Sequence, residues 1–91
     1  MAIKLSPDQL QDLATRLDRA KEASLELAAE VKGLINEATG NWEGKAKERY
    51  LRDYEEIEPA LKEKLPSTLE TLSTNMKTMA KEFANLDSSF G

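Results

Sequence analysis

A chain of 91 residues without cysteine or histidine makes one domain at most, with no disulfide and without the usual ligands of a structural zinc. Its net charge is -4. Lys and Arg are scattered among Asp and Glu, which leaves no basic block to neutralise phosphates and argues against nucleic-acid binding. Aromatics at 5% and charged residues at 33% suit long amphipathic helices better than sheets. A chain this small buries a modest share of its surface, and with disulfides and metal removed, oligomerisation is the support that remains.

The N-terminal stretch Met-Ala-Ile-Lys-Leu-Ser-Pro has no apolar core of signal-peptide length, and no segment approaches the roughly 20 apolar residues of a membrane span. The first helix starts at a clear boundary. Ser6 suits the N-cap, Pro7 the first helical position, and Gln9 completes a capping box. Leu5 and Leu10 sit where a hydrophobic staple closes. The pattern that follows is close to a heptad. Leu10, Leu17, Val31 and Ala38 share one repeat position, with Ser24 as its polar exception. Leu13, Ala20, Leu27 and Leu34 share the other. Ala14, Ala28 and Ile35 widen the stripe, as in a bundle helix. The first helix is expected over 7–38.

Periodicity stops at 39–44. Gly40 is expected to end the first helix in the left-handed region, and Asn41 to cap the second. A connection this short folds the helices antiparallel. The second helix, expected over 45–88, resumes with Ala46, Tyr50, Tyr54, Ile57, Leu61 and Leu65. From Leu69 through Leu72, Met76, Met79, Phe83 and Leu86 the spacing alternates threes and fours. Pro59 and Pro66 each remove a backbone donor, so a bend or break is expected there. The fold class is therefore all-α: an antiparallel helix-turn-helix hairpin, pairing into a four-helix bundle. Both helices carry stripes wider than one contact line can cover, and the uncovered strip marks an interaction site. The seam of core and dimer is expected to hold Leu10, Leu13, Leu17, Leu27, Val31, Leu34, Leu69, Leu72, Met76 and Met79.

Candidate chemistry is thin. The common general base and the common thiol nucleophile are both missing, and no phosphate loop or calcium-loop spacing is present. Glu55, Glu56 and Glu58 cluster, as carboxylates on a solvated helix face do. Lys45, Lys47, Arg49 and Arg52 form the densest basic stretch, interrupted by Glu48 and Asp53, and also read as a solvated face. The sequence points away from an enzyme, a cofactor or a small-molecule substrate. Trp42, the single tryptophan, stands in the turn rather than in either stripe. It can plug the end of the hairpin, with Gly44 leaving room for the turn.

Trp42-Glu43-Gly44 at the tip of two amphipathic helices resembles the Trp-X-Gly (WXG, Esx-like) family of small type VII secretion substrates. The tripeptide alone carries little information. Together with the turn, the hairpin and the missing signal peptide it is specific, and the likeness runs over essentially the whole chain. The Ile-Lys-Leu-Ser-Pro lead and the proline early in the second helix look like members from Gram-positive bacteria outside the mycobacteria. The family's C-terminal export element is matched in spacing by Phe83, Asp87 and Phe90, although the chain ends before the extended form would. Tyr54 and Glu58 fit the mycobacterial variant of that element but sit too early in the helix. The resemblance implies a head-to-tail pair with itself or a paralogous hairpin, read by a membrane ATPase of the secretion apparatus. It also implies secretion without a cleavable signal peptide, after a cytoplasmic stage. Against it stand a cytosolic scaffold or chaperone-like module, and membrane disruption, which the mixed-sign polar faces disfavour.

Overall fold

The computed structural model describes residues 5–90, with side chains as far as Asn85. The first helix, α1, spans Pro7–Gly40. Ser6 caps it: its Oγ accepts from the Gln9 N–H at 3.2 Å, and the Gln9 side chain accepts from the Ser6 N–H at 2.7 Å. Two orphan donors of the first turn are thereby satisfied reciprocally. After a short turn, α2 spans Lys45–Pro59, a π-helical segment spans Ala60–Lys64, and α3 runs Leu65–Phe90. The hairpin is a rod of 70 × 19 × 17 Å with a radius of gyration of 20.2 Å, against about 12 Å for a compact domain of this length.

The turn departs from the sequence expectation in two places. Gly40 stays within α1, and the positive φ among the described residues belongs to Gly44, at 101°. Asn41 closes α1 as its C-cap instead of opening the next helix. Gly44 is the N-cap of α2, without any side-chain cap. The left-handed residue thus lies on the far side of Trp42 from the position the glycine pattern suggested.

The two prolines frame a widened turn. Backbone at Ala60 (φ -65, ψ -39) and Leu65 (φ -64, ψ -50) stays right-handed helical, and the Leu65 N–H donates to the Ala60 carbonyl, five residues back. Pro66 has no N–H, and its ring would crowd the carbonyl four residues earlier in a regular helix. A π turn opens that space and absorbs one extra residue. The extra residue rephases the helix: Tyr50 and Ile57 stand seven apart, Leu65, Leu72 and Met79 seven apart, and the step between the sets is eight. All five are exposed. One continuous face therefore survives the prolines.

The line where α1 meets α3 is built from small residues. Ala14 and Ala80 are the fully buried hydrophobic residues among those described, at 0% and 1% exposure, and Ser73 is the largest side chain buried to that degree. Small side chains let helix backbones approach closely, which draws the two axes together but buries little apolar area.

Candidate functional site

Two features of the rod are available to other molecules, a long apolar stripe and the tip. The stripe follows from helix geometry. Leu13, Ala20, Leu27 and Leu34 recur every seven residues on α1, one position before or several after the residues that touch α3, so they face sideways out of the hairpin. Leu27 is 51% and Leu34 57% exposed, and on the other helix Ile57 is 58%, Leu72 49% and Met79 59% exposed. Leu13 is half-buried. The seam inferred from sequence thus divides into two faces. Leu10, Leu17, Val31, Leu69 and Met76 are half-buried beside the opposite helix, while Leu27, Leu34, Leu72 and Met79 lie open.

Sequence reasoning gave Ser24 the role of a polar exception and Ala14 that of a margin. The structure makes both the inner line: Ser24 is 8% exposed and its Oγ donates to the Lys21 carbonyl at 2.6 Å. What it did not find at all is the clip at Ser73. The Ser73 Oγ reaches the Ala14 carbonyl at 3.0 Å and Asp18 Oδ1 at 2.5 Å, and Lys77 Nζ donates to Asp18 Oδ2 at 2.8 Å. Lys77 first, then Ser73, hold the Asp18 carboxyl below its ordinary range. Lys21 meets Glu70 at 3.3 Å one turn further along. Ser73 shares its heptad position with Pro66 and Ala80, one place after the leucine seam, so the periodicity of the large hydrophobes carried no signal for this clip.

At the tip, Trp42 is 38% and Tyr50 43% exposed, and their rings stand 5.7 Å apart, tilted by 48°. That separation is within the range of favourable aromatic pairs, and both residues remain exposed. The Trp42 N–H is held by the Thr39 carbonyl at 3.2 Å, and the buried Thr39 hydroxyl by Ile35 at 2.7 Å. Lys45, Arg49 and Arg52 are exposed on the same helix as Tyr50. Phe83 is half-buried on α3; the side chains of Asp87 and Phe90 lie outside the described residues. Tyr54 and Glu58 line a groove of about 260 Å³ with Leu25, Ala28 and Lys32, where burial and the Glu58 charge push the Tyr54 hydroxyl up. Lys32 sits 3.8 Å from Glu58.

A family model described as "WXG100: Proteins of 100 residues with WXG" matches residues 2–88. The chain belongs to the WXG100 family. Among solved structures this WXG100 chain is similar to EsxA of Geobacillus thermodenitrificans, at TM-score 0.81 and 22% identity, covering 98% of this chain and 96% of that one. It is also similar to a secreted protein, EsxB, of Bacillus anthracis, at TM-score 0.77 and 25% identity, covering 96% and 98%. Both source organisms are Gram-positive and neither is a mycobacterium. No curated protein matches the chain. Among the described residues, no helix is long and apolar enough to cross a membrane.

Proposed function

We propose that this WXG100 chain is a secreted substrate and adaptor of a type VII secretion system, and that it acts by pairing with a second helical hairpin. The observation that carries the reading is the inversion of side-chain size. Small residues fill the line inside the hairpin, and leucines, an isoleucine and a methionine stand outside it. One copy exposes 7233 Å², whereas a compact monomer of 10.2 kDa exposes about 5,300 Å². An excess of roughly 1,900 Å² per copy is in the range that permanent dimers remove from water. A four-helix bundle made from two hairpins covers it.

In this reading Trp42 and Gly44 form the tip that the secretion apparatus recognises. Phe83, Asp87 and Phe90 of the partner supply the other half of the signal, and a membrane ATPase reads the composite. The family match and the exposed aromatic pair support this. The protein passes through a cytoplasmic stage and leaves without a cleaved signal peptide. The test is export from a host carrying the secretion system, with the Trp42→Ala variant alongside. Its expected result is a dimer of unchanged mass that stays in the cells while the parent chain reaches the culture supernatant with its N-terminus intact. Normal export of a dimeric Trp42→Ala variant would contradict the role of the tip, and a parent chain retained in the cytosol would favour a scaffold instead.

A further inference from the structure

We propose that a recess between α1 and the π segment binds short aliphatic carboxylates, with Lys62 pairing the carboxylate and Leu25, Ala29 and Leu61 receiving the chain. The recess interrupts a polar face. Asp18, Leu25 and Lys32 recur every seven residues along one side of α1. Asp18 takes the Lys77 ammonium at 2.8 Å, and Lys32 stands 3.8 Å from Glu58. Leu25, between them, is 38% exposed and has no charge to offer. There the hairpin opens into a hollow of about 260 Å³, walled by Leu25, Ala28, Ala29, Tyr54 and Leu61. Three charged groups, Lys32, Glu58 and Lys62, complete its lining. Neither α2 nor the π segment contributes a buried residue, so the close approach of α1 and α3 is not continued here. Ala28 and Ala29 are too small to fill the space that results.

Size and charge commit the recess to one kind of occupant. At about 30 Å³ for each water-sized group it takes roughly eight of them. That suits a single short alkyl chain and is too little for the several anchors of a docked helix. Two ammonium groups, Lys32 and Lys62, stand against one carboxylate, Glu58. Lys32 is engaged with Glu58, whereas Lys62 takes part in no salt bridge among the described residues. One positive charge is therefore left for an anion. Tyr54 adds no negative charge, because burial first, and then Glu58, push its hydroxyl up and keep it neutral. Glu55 belongs to the next hollow toward the tip, with Asn36 and Leu51. Leu25 and Ala29 each stand two residues from Leu27, about 200° around the helix. The recess thus lies away from the exposed stripe, and stays open whether the chain is single or paired along that stripe.

Calorimetric titration of the full chain with sodium hexanoate, heptanoate, octanoate, decanoate and dodecanoate, each below its micellar concentration, tests this. Affinity should rise about fourfold per added methylene as far as octanoate, then level off once the recess is full. Amide shifts on adding octanoate should cluster at residues 25–32 and 58–62. Lys62→Glu should weaken octanoate binding about tenfold. Lys64→Glu makes the same change of charge outside the lining and should leave the affinity unaltered. Ala29→Trp should abolish binding. Ala29 and Lys62 are both exposed, so helical content and molar mass should stay as in the parent chain. Equal binding of octyltrimethylammonium, or tightening that continues through dodecanoate, would overturn the proposal. So would shifts centred on Leu27, Leu34, Leu72 and Met79, which would mean adsorption to the stripe. A changed mass in Ala29→Trp would give the recess to a protein contact and would likewise overturn it. None of these readouts depends on export, so carboxylate binding and the secretion reading stand or fall separately.

Discussion

Toward its free end the rod is knit by α3 lying against α1. There Ser73 and Ala80 are 1% exposed, and Asp18 gathers a hydroxyl and an ammonium from the opposite helix. Toward the tip, α2 lies along the same α1 with no buried residue at all, held by the tilted Trp42–Tyr50 pair and the looser Lys32–Glu58 contact. The contrast teaches how a chain with almost no core can persist as a hairpin. One half is fixed by close helix approach and a polar clip, and the other by one aromatic pair and one loose ion pair. In the pair proposed above, a head-to-tail arrangement would set the well-knit half of each copy beside the loose half of the other. Each copy then supplies the support that its partner lacks.

The largest way to break this arrangement is through the stripe. Leu27→Asp or Leu72→Asp removes the burial of one leucine per copy, about 1.5–3 kcal/mol each and counted twice in a symmetric pair. It also places a charge where no partner waits. The expected outcome is a monomer by light scattering, with helical signal lost first in α2 by amide exchange. A dimer of unchanged affinity would mean that the stripe is not the contact. Next in size is Ser73→Leu. The site is closed on all sides, so the extra volume forces α1 and α3 apart at a cost of about 1–3 kcal/mol. Here thermal melting should show the hairpin itself weakened, with exchange accelerating first at the α1–α3 end. The two substitutions should therefore unlock opposite halves.

The clip and the stripe also differ in how far they could be read from sequence. The start of α1 was legible because capping is local: Ser6, Pro7 and Gln9 carry their own geometry. The hairpin was legible because leucines recur with a helical period on both sides of a glycine-bearing turn. Which leucines face inward was not legible, since Leu10, Leu13 and Leu17 fit a seam equally well. Only the neighbours resolve it, with Ala14, Ser24 and Ser73 small enough to let α3 close in. The π segment was hidden for a related reason. Pro59 and Pro66 announce a disturbance but not its form, which is set by the need to keep Ile57 and Leu65 on one face. At the tip the Trp-X-Gly tripeptide was conspicuous, while the contact of Trp42 with Tyr50 depends on the direction in which α2 leaves the turn.

Acid sharpens the comparison further, with a smaller effect. Asp18 has a folded pKa below its unfolded one, so its contribution is present in full above the unfolded value. It is lost as the pH falls through the folded one. The α1–α3 half should therefore loosen below about pH 4, while the tip shows no matching response from this group. In Asp18→Asn that part of the pH dependence should vanish: melting temperature should be lower than the parent's at neutral pH and converge with it in acid. Parallel curves for the two proteins across the whole range would remove Asp18 from the account of the clip.

The smallest effects test the geometry of the turn, and their signs matter more than their size. Gly40 has helical backbone and open space around its Cβ position, so Gly40→Ala should raise stability by roughly 0.5–1 kcal/mol through the unfolded chain. Gly44 has equally open space but a φ of 101°, which an alanine adopts only under strain. Gly44→Ala should therefore lower stability by about 1 kcal/mol, although no neighbour is displaced. Trp42 fluorescence reports both from within the turn. If instead Gly40→Ala destabilised and Gly44→Ala did not, the left-handed residue would lie before the tryptophan, and α2 would leave the turn in a different direction. Tyr50 could then no longer meet Trp42, and the exposed aromatic pair would be lost.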